Sequence, residues 1–166
     1  MPIRPAVPGD LPEVASLIQE LASYEGLAHE VTWDPDQLHE HLFGPDRVAR
    51  ATLAVVPPGE PGDRPGTPEE AVADDVAGLA LWFPTFSTFL GRPGIWVEDL
   101  YVRPAHRGRG HGQALLRHLR SLTDGRVEWA VLDWNDLAIS FYEGLGAEPV
   151  RGWTRYRWSP PDRPPP

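Results

Sequence analysis

A glycine- and arginine-rich run at residues 102–113 has the composition of an anion-binding loop. An apolar stretch at 95–102 leads into it and predicts a buried strand, and leucines at helical spacing follow it and predict a helix. Glycines let a backbone approach a ligand closely, and the N–H groups at a helix N-terminus attract negative charge. Five arginines and no acid lie between Leu100 and Leu122, although the whole chain has a net charge of −9. The pattern therefore predicts a site for an anionic ligand.

The spacing of the glycines excludes two common phosphate-binding loops. A P-loop ends in Gly-Lys-Ser/Thr, and the run from Gly110 to Gln113 supplies neither the lysine nor the hydroxyl. A dinucleotide fingerprint has Gly-x-Gly-x-x-Gly at the start of a βαβ unit, whereas this chain has Gly-x-Gly-x-Gly, late in a short sequence. A surface loop that touches RNA stays open as an alternative, although such segments are not framed by a strand and a helix.

The composition of the 166 residues indicates one globular domain with a full core. Apolar residues make up 41%, with seven tryptophans. The absence of cysteine excludes disulfides and a cysteine nucleophile, and the absence of lysine excludes Schiff-base chemistry. The histidines lack metal-binding spacing, and neither a signal peptide nor a membrane span is evident. We therefore expect a cytoplasmic protein without a metal.

The periodicity of apolar residues predicts an α/β or α+β domain at 1–159. A helix is predicted from Leu11 to Gly26, with a capping box at Asp10 and Glu13, and a second from an Asp34 cap to near Gly44. Later helices are predicted after the glycine loop and at 136–145. Strands are predicted at 2–7, 51–56, 76–83, 95–102, 127–132 and 153–158. The remaining segments are a solvated proline-rich loop at 57–75 and a disordered tail at 160–166.

Several motifs resemble the GNAT superfamily of acyl-CoA-dependent N-acetyltransferases. Arg107-x-x-Gly110-x-Gly112 resembles its pyrophosphate loop. The opening segments IRPA and LIQELASYE, the strand VEDLYV and the run WNDLAISFY are similar to the spermidine/spermine and thialysine N-acetyltransferase group. The proline-rich loop and the short tail depart from that group. The resemblance implies a mixed, mostly antiparallel central sheet flanked by helices, acetyl-CoA as co-substrate and a homodimer.

The same resemblance implies which residues bind acetyl-CoA. The end of the central strand pairs with the pantetheine arm through its backbone, and the loop amides hold the pyrophosphate. Arg107 and Arg109 either assist as cations or are solvated. Asn135 matches a position that holds the CoA arm, although asparagine is also a favoured helix N-cap. The implied CoA-binding residues are Leu100, Tyr101, Val102, Arg107, Gly108, Arg109, Gly110, His111, Gly112, Gln113, Asn135 and Ala138.

Two residues are implied as catalytic. Tyr142 matches the family's general acid, and a phenol that stays protonated at neutral pH is a suitable proton donor to a departing thiolate. The alternative for Tyr142 is a core aromatic residue beside Phe141. Glu98, an acid in an apolar strand, is implied to bind the amine and relay its proton through water. Asp99, expected on the opposite strand face, is interpreted as a structural hydrogen-bonding residue. Without cysteine, direct attack in a ternary complex is the expected mechanism.

The distribution of charge predicts a cationic acceptor. Nine acids and no arginine lie at 5–46, opposite in sign to the glycine loop, although most of these acids are also consistent with solvated helix faces. By resemblance, Tyr24, Glu25 and Glu98 contact a small primary amine such as a polyamine, diamine or lysine analogue. The alternatives are transfer to protein amines or amine drugs, and a non-catalytic acyl-CoA-binding module. The acidic net charge disfavours nucleic acid as a partner.

Overall fold

The computed structural model describes residues 1–56 and 75–158, which form two compact units, Met1–Ala130 and the part of Val131–Pro166 up to residue 158. Most of the predicted proline-rich loop and the whole predicted tail lie outside the described residues. Asp75, assigned to that loop from the sequence, is instead the first residue of a strand. The single domain at 1–159 stays a prediction.

The first unit is a five-stranded mixed sheet with three α-helices, which confirms the predicted fold class. The sheet order is β1-β2-β3-β4-β5, in which neighbours are antiparallel except for the parallel pair β4 and β5. In chain order the elements are β1 (Ile3–Pro5), α1 (Leu11–Tyr24), α2 (Pro35–Phe43), β2 (Arg50–Val56), β3 (Asp75–Ser87), β4 (Arg92–Val102), α3 (His111–Ser121) and β5 (Val127–Trp129).

The core of this unit forms where one face of α1 packs on the sheet. Val14 and Leu17, three residues apart and therefore on one side of the helix, are fully buried. They belong to a single apolar cluster with Leu53 of β2, Leu79 of β3 and Tyr101 of β4. Burial of this face fixes α1 against the strand that leads into the glycine loop.

Only one of the two predicted helix caps at the start of the chain is present. The Asp34 side chain accepts a 2.9 Å hydrogen bond from the Gln37 N–H, as predicted for α2. At α1 the predicted capping box is wrong, since the Asp10 side chain makes no cap bond to the helix. Its carboxylate is occupied by the Arg4 guanidinium, at 2.7 Å, and by the Val7 N–H.

The second unit contains α4 (Asp136–Gly144), close to the predicted range, followed by Gly146 with a φ of 85°. The predicted strand at 153–158 is wrong, because these residues have no strand structure and alternation alone does not supply a partner. Trp153 and Trp158 are 77% and 100% exposed. The strand predicted at 127–132 ends at Trp129, because β5 pairs with only three residues of β4.

Candidate active site

The last residues of β4 are paired with a neighbouring strand along one edge and lack a strand partner along the other, within the described residues. β5 pairs with β4 only from Ile95 to Val97, whereas β3 stays paired up to Val102. Over 98–102 no further strand of the described chain joins the β5 side. An extended ligand can therefore hydrogen-bond there as an added strand would. This geometry fits the backbone role predicted for Leu100, Tyr101 and Val102 toward a pantetheine arm.

The glycine loop ends in a helix N-terminus suited to a diphosphate. Gly108 and Gly110 have φ values of 74° and 86°, which favour glycine strongly, and Gly110 is the N-cap residue of α3 without a side-chain cap bond. The first intrahelical bond runs from Ala114 N–H to the Gly110 carbonyl at 2.9 Å. The N–H groups of Gly112 and Gln113 therefore point out of the helix end, where an anion is stabilised.

Arg107 is held between two tyrosines. Its Cζ lies 4.9 Å from the ring centroid of Tyr24 and 5.8 Å from that of Tyr101, and its Nε donates a 2.9 Å hydrogen bond to the Val102 carbonyl. The alternative of a solvated side chain is therefore wrong for Arg107. The Arg109 side chain is exposed. Arg107 joins the end of α1 to the loop, and its role as a cation for the pyrophosphate stays a prediction.

The His111 side chain is buried beneath the loop. It is 3% exposed, and its ring stands edge-on to that of His106, with centroids 6.0 Å apart. Nε2 of His106 lies 3.5 Å from a carboxylate oxygen of Asp75. Any contribution of His111 to ligand binding is therefore expected from its backbone N–H.

Arg103 fastens α1 to the end of β4. Its guanidinium lies 2.5 Å from a Glu13 oxygen and 2.7 Å from a Glu20 oxygen, and it also donates to the Val76 carbonyl. Burial alone would raise the pKa of Glu20, but hydrogen bonds and charge from Arg103 hold that pKa below its usual value. The hydrogen bond to Glu20 stabilises the charged guanidinium and so raises the pKa of Arg103. The ion pairs of Arg103 with Glu13 and Glu20 fix α1 relative to the end of β4.

A cluster of three carboxylates lies where α1 ends beside β4. Burial raises the pKa of Asp99 to about 7, and the negative charges of Glu98 and Glu25 add to the shift. Burial also raises the pKa of Glu25, the residue directly after α1. Glu98 is exposed and accepts a 2.7 Å hydrogen bond from the Trp96 indole N–H. This acid cluster of Glu25, Glu98 and Asp99 would attract a cation, and Asp99 would accept a proton near neutral pH.

The sequence interpretation of Asp99 as a structural hydrogen-bonding residue is not supported. Within the described residues the Asp99 side chain has no hydrogen-bond partner. Besides burial, the negative charges of Glu98 and Glu25 raise its pKa. Strand alternation placed it on the face opposite Glu98. Leu81 pairs with Asp99 and Trp82 with Val97, so Glu98 is an extra residue in a β-bulge. A bulge breaks alternation locally and re-aims side chains. The sequence did contain a signal for an unusual environment of Asp99, because two adjacent acids, Glu98 and Asp99, interrupt an otherwise apolar strand.

Most of the other acids near α1 and α2 with a defined partner are structural. Asp10 binds Arg4, Glu13 and Glu20 bind Arg103, and Asp34 caps α2. Glu25, directly after α1, instead acts by its charge on Asp99 of β4. The structural acids are therefore paired within the fold, whereas Glu25, Glu98 and Asp99 form the acid cluster.

Three predicted site residues lie in the second unit. Oδ1 of Asn135 accepts a 3.2 Å hydrogen bond from the Ala138 N–H, so Asn135 is the N-cap of α4, as its alternative interpretation stated. The Asn135 amide nitrogen is a donor that this cap does not use. Tyr142 is half-buried on α4, with its ring centroid 5.3 Å from that of Phe141. The CoA-binding roles of Asn135 and Ala138 and the catalytic role of Tyr142 stay predictions.

Within the described ranges, no group of three or more histidine, cysteine or acidic side chains is arranged to hold a metal ion. Over the same ranges, every helix is too short or too polar to cross a lipid bilayer.

Comparison with known proteins agrees with these features. A family model described as acetyltransferase (GNAT) family matches residues 25–147. Thialysine N-epsilon-acetyltransferase of Bos taurus is 33% identical over 165 residues, which cover 94% of this chain and 91% of the relative. L-ornithine N5-acetyltransferase NATA1 of Arabidopsis thaliana is 30% identical over 184 residues, covering 91% and 81%.

A solved structure of an aminoglycoside acetyltransferase from an uncultured soil metagenomic sample shares the fold, with a TM-score of 0.70 at 15% identity, covering 95% of this chain and 96% of that chain. The matched family region includes the open end of β4, the glycine loop and the acid cluster. The resemblance seen in the motifs is thereby confirmed, and the chain belongs to the GNAT family and is an acyl-CoA-dependent N-acetyltransferase.

Proposed function

We propose that this enzyme transfers acetyl from acetyl-CoA directly to a primary amine of a small cationic acceptor. The observation that supports the acceptor class is the acid cluster of Glu25, Glu98 and Asp99 beside the open strand. Acceptors of this class include diamines, polyamines and amino acids with a terminal side-chain amine. Two relatives are named for such amino acids, ornithine and thialysine.

The acetyl-CoA side of the site is supported by the geometry of β4 and α3. The open edge at 98–102 suits the amide-rich pantetheine arm, and the N–H groups of Gly112 and Gln113 suit the pyrophosphate. When bound, the co-substrate supplies an acetyl group activated as a thioester. In the second unit, the Asn135 amide nitrogen is proposed to donate to a carbonyl of the same arm.

The chemistry needs one group to take a proton and another to give one. An amine attacks a thioester only when neutral, so the ammonium must first lose a proton. Asp99, with a pKa of about 7, is ionised in part of the population at neutral pH and can accept that proton. Glu98 and Glu25 hold the acceptor by charge. Tyr142 is proposed to protonate the leaving thiolate, which completes the transfer without an acyl-enzyme.

The direct experiment measures CoA release with a panel of amines at fixed acetyl-CoA. The panel compares putrescine, spermidine, ornithine and thialysine, which carry a second ammonium besides the reacting amine, with primary amines of similar length whose second group is neutral or anionic. Turnover that is highest for acceptors with a second ammonium supports the proposal. Equal turnover of the two sets would remove the acid cluster from acceptor selection, and CoA binding without turnover would favour the non-catalytic module.

We also propose a cytoplasmic homodimer, on the basis of the resemblance and of exposed apolar side chains. Phe86 and Phe89, at and just beyond the end of β3, are 66% and 87% exposed, and Trp153 and Trp158 in the second unit are exposed as well. Exposed aromatic side chains in each unit are available for contact with a second copy. Light scattering at micromolar concentration tests this, and a stable monomer mass would contradict it.

A further inference from the structure

A cleft of about 540 Å³ opens in the first unit, at the end of the sheet away from the glycine loop. Its walls come from the starts of β2 and β4, the middle of β3 and the residues after α3. β4 runs from this cleft to the start of the glycine loop. At the rise of a strand, its length separates the cleft from the loop by roughly 20 Å or more. The volume is typical of small-molecule sites. The cleft is therefore distinct from the acetyl-CoA site.

Arg50 is held in place on one wall of the cleft. Its Cζ lies 5.1 Å from the ring centroid of Trp82, and the indole is fixed by a 3.0 Å hydrogen bond from Nε1 to Thr52 Oγ1. Trp82 is 8% exposed. A guanidinium close to an aromatic ring is attracted by the negative face of that ring. Arg50 therefore brings a positively charged group, in contact with a buried ring, to the wall of the cleft.

Arg92, the first residue of β4, brings a second exposed guanidinium to the same cleft. Within residues 1–56 and 75–158, neither Arg50 nor Arg92 is in a salt bridge with a carboxylate. Asp124 is the acid among the lining residues, so the lining carries two guanidiniums and one carboxylate. In a chain with a net charge of −9 this local excess of positive charge is unusual. It favours an anionic ligand.

The rest of the cleft is apolar and rigidly supported. Ile95 and Leu122 line it, and the connection after α3 is fastened to β4 by Thr123. The Thr123 hydroxyl donates to the Pro93 carbonyl at 2.8 Å and accepts from the Gly125 N–H at 3.0 Å. These bonds fix the distance between the two walls. The cleft thus combines a cationic rim with an apolar floor.

We propose that this cleft binds a small organic oxyanion, a molecule with a carboxylate or phosphate group on an apolar body. Arg50 and Arg92 hold the oxyanion by charge-assisted hydrogen bonds, and Ile95 and Leu122 contact the apolar body. The site does not depend on the proposed acceptor or on acetyl-CoA. It is a second ligand site of the enzyme.

The test titrates the full chain with benzoate, with inorganic phosphate and with neutral benzamide, followed by NMR shifts of the Trp82 indole N–H. We expect saturable benzoate binding, weaker phosphate binding and no comparable benzamide binding. Arg50→Gln and Arg92→Gln should each weaken benzoate binding about 10-fold or more, the usual loss for a charge-assisted hydrogen bond. Asp124→Asn should strengthen it several-fold. Arg47→Gln, which removes the same charge outside the cleft, is the matched control.

Four outcomes would overturn the proposal: no saturable binding of benzoate or phosphate, equal affinity for benzoate and benzamide, unchanged affinity in both cleft arginine variants, or displacement of benzoate by CoA. Phosphate affinity equal to that of benzoate would overturn the role of the apolar body. Because both arginines are exposed, their variants are expected to fold, which circular dichroism checks.

Discussion

The guanidinium of Arg107 lies 4.9 Å from the ring centroid of Tyr24 and so joins the end of α1 to the glycine loop. Its Nε bond to the Val102 carbonyl fixes the same side chain to the last residue of β4. Since Glu25 follows Tyr24 directly, this stack also sets where the acid cluster begins. The proposed acceptor side and the proposed acetyl-CoA side of the first unit are therefore connected through one arginine.

Arg107→Lys tests that connection. Lysine keeps the charge but loses the planar group that stacks on two rings and bonds to Val102. We expect a loss of about 1–2 kcal/mol in unfolding free energy, from weakened contacts with the two rings and one lost hydrogen bond. The KM values of both substrates should rise together. Denaturant unfolding and steady-state kinetics measure this, with exposed Arg117→Lys as control. A KM change for acetyl-CoA alone would show that Arg107 acts only as a phosphate ligand.

Gly110→Asp tests the phosphate site at the N-terminus of α3. The φ of 86° is a conformation that aspartate tolerates better than most residues, so the fold should survive. The new carboxylate would stand where the pyrophosphate is expected, and the acetyl-CoA KM should rise steeply, by about 10-fold or more. Gly9→Asp adds the same charge at a glycine with open space around it and serves as control. Unchanged acetyl-CoA affinity in folded Gly110→Asp would remove this loop from the site.

The fold and the conformation of the glycine loop were predictable because their signals are local. Apolar periodicity marks α1 and the central strands, and the glycine spacing marks the loop, since a positive φ depends on the residue itself. The Asp34 cap is also a short-range bond. The failed cap at Asp10 shows the limit of such signals. Its carboxylate is taken by Arg4, a tertiary partner that no local pattern contains.

The pairings within the site were less predictable because they depend on distant segments. Arg103 binds Glu13 and Glu20, residues 90 and 83 positions away, which removes two acids from the predicted acceptor field. The bulge at Glu98 depends on register with β3 and changes the role of Asp99. The missing strand at 153–158 has the right alternation, but pairing needs a neighbouring strand, which sequence alternation cannot guarantee.

Asp99→Asn tests the proposed base through pH. With a pKa of about 7, the carboxylate is protonated below that pH and can accept a proton only above it. The kcat/KM of the wild type should therefore rise through about pH 7, in addition to the rise from the amine's own deprotonation. In Asp99→Asn the step near pH 7 should disappear and the amine's rise should remain. A pH profile with the same step in both proteins would assign it to another group.

The same substitution has a stability readout. A carboxyl whose folded pKa is above its unfolded value of 3.8 binds more protons in the folded state between about pH 4 and 7. The wild type therefore loses stability as pH rises across that window, and the loss persists above it. Asp99→Asn, which cannot ionise, should depend less on pH and unfold at higher denaturant concentration than the wild type at pH 8. Equal denaturant midpoints of the two proteins at pH 8 would show that the ionised Asp99 carboxylate does not destabilise the fold.

Glu98→Gln tests charge at the bulge with shape preserved. The glutamine oxygen can still accept from the Trp96 indole N–H, so local structure should hold. Turnover of dicationic amines should fall, by about 10-fold, as one attractive charge is lost, with acetyl-CoA KM nearly unchanged. Neutral amines in the same assay provide the control. An equal loss for both substrates, or for neither, would indicate a structural role for Glu98.

Tyr142→Phe tests whether the Tyr142 hydroxyl is the general acid of the reaction. The substitution removes only a hydroxyl and keeps the ring that packs beside Phe141 on α4. If this hydroxyl protonates the departing thiolate, kcat should fall about 10²-fold or more while both KM values change little, because the interaction acts mainly in the transition state. Wild-type activity should also decline at high pH as the phenol ionises, and the variant should lack that decline. A Tyr142→Phe enzyme within a few-fold of the wild type would show that water or another group supplies the proton.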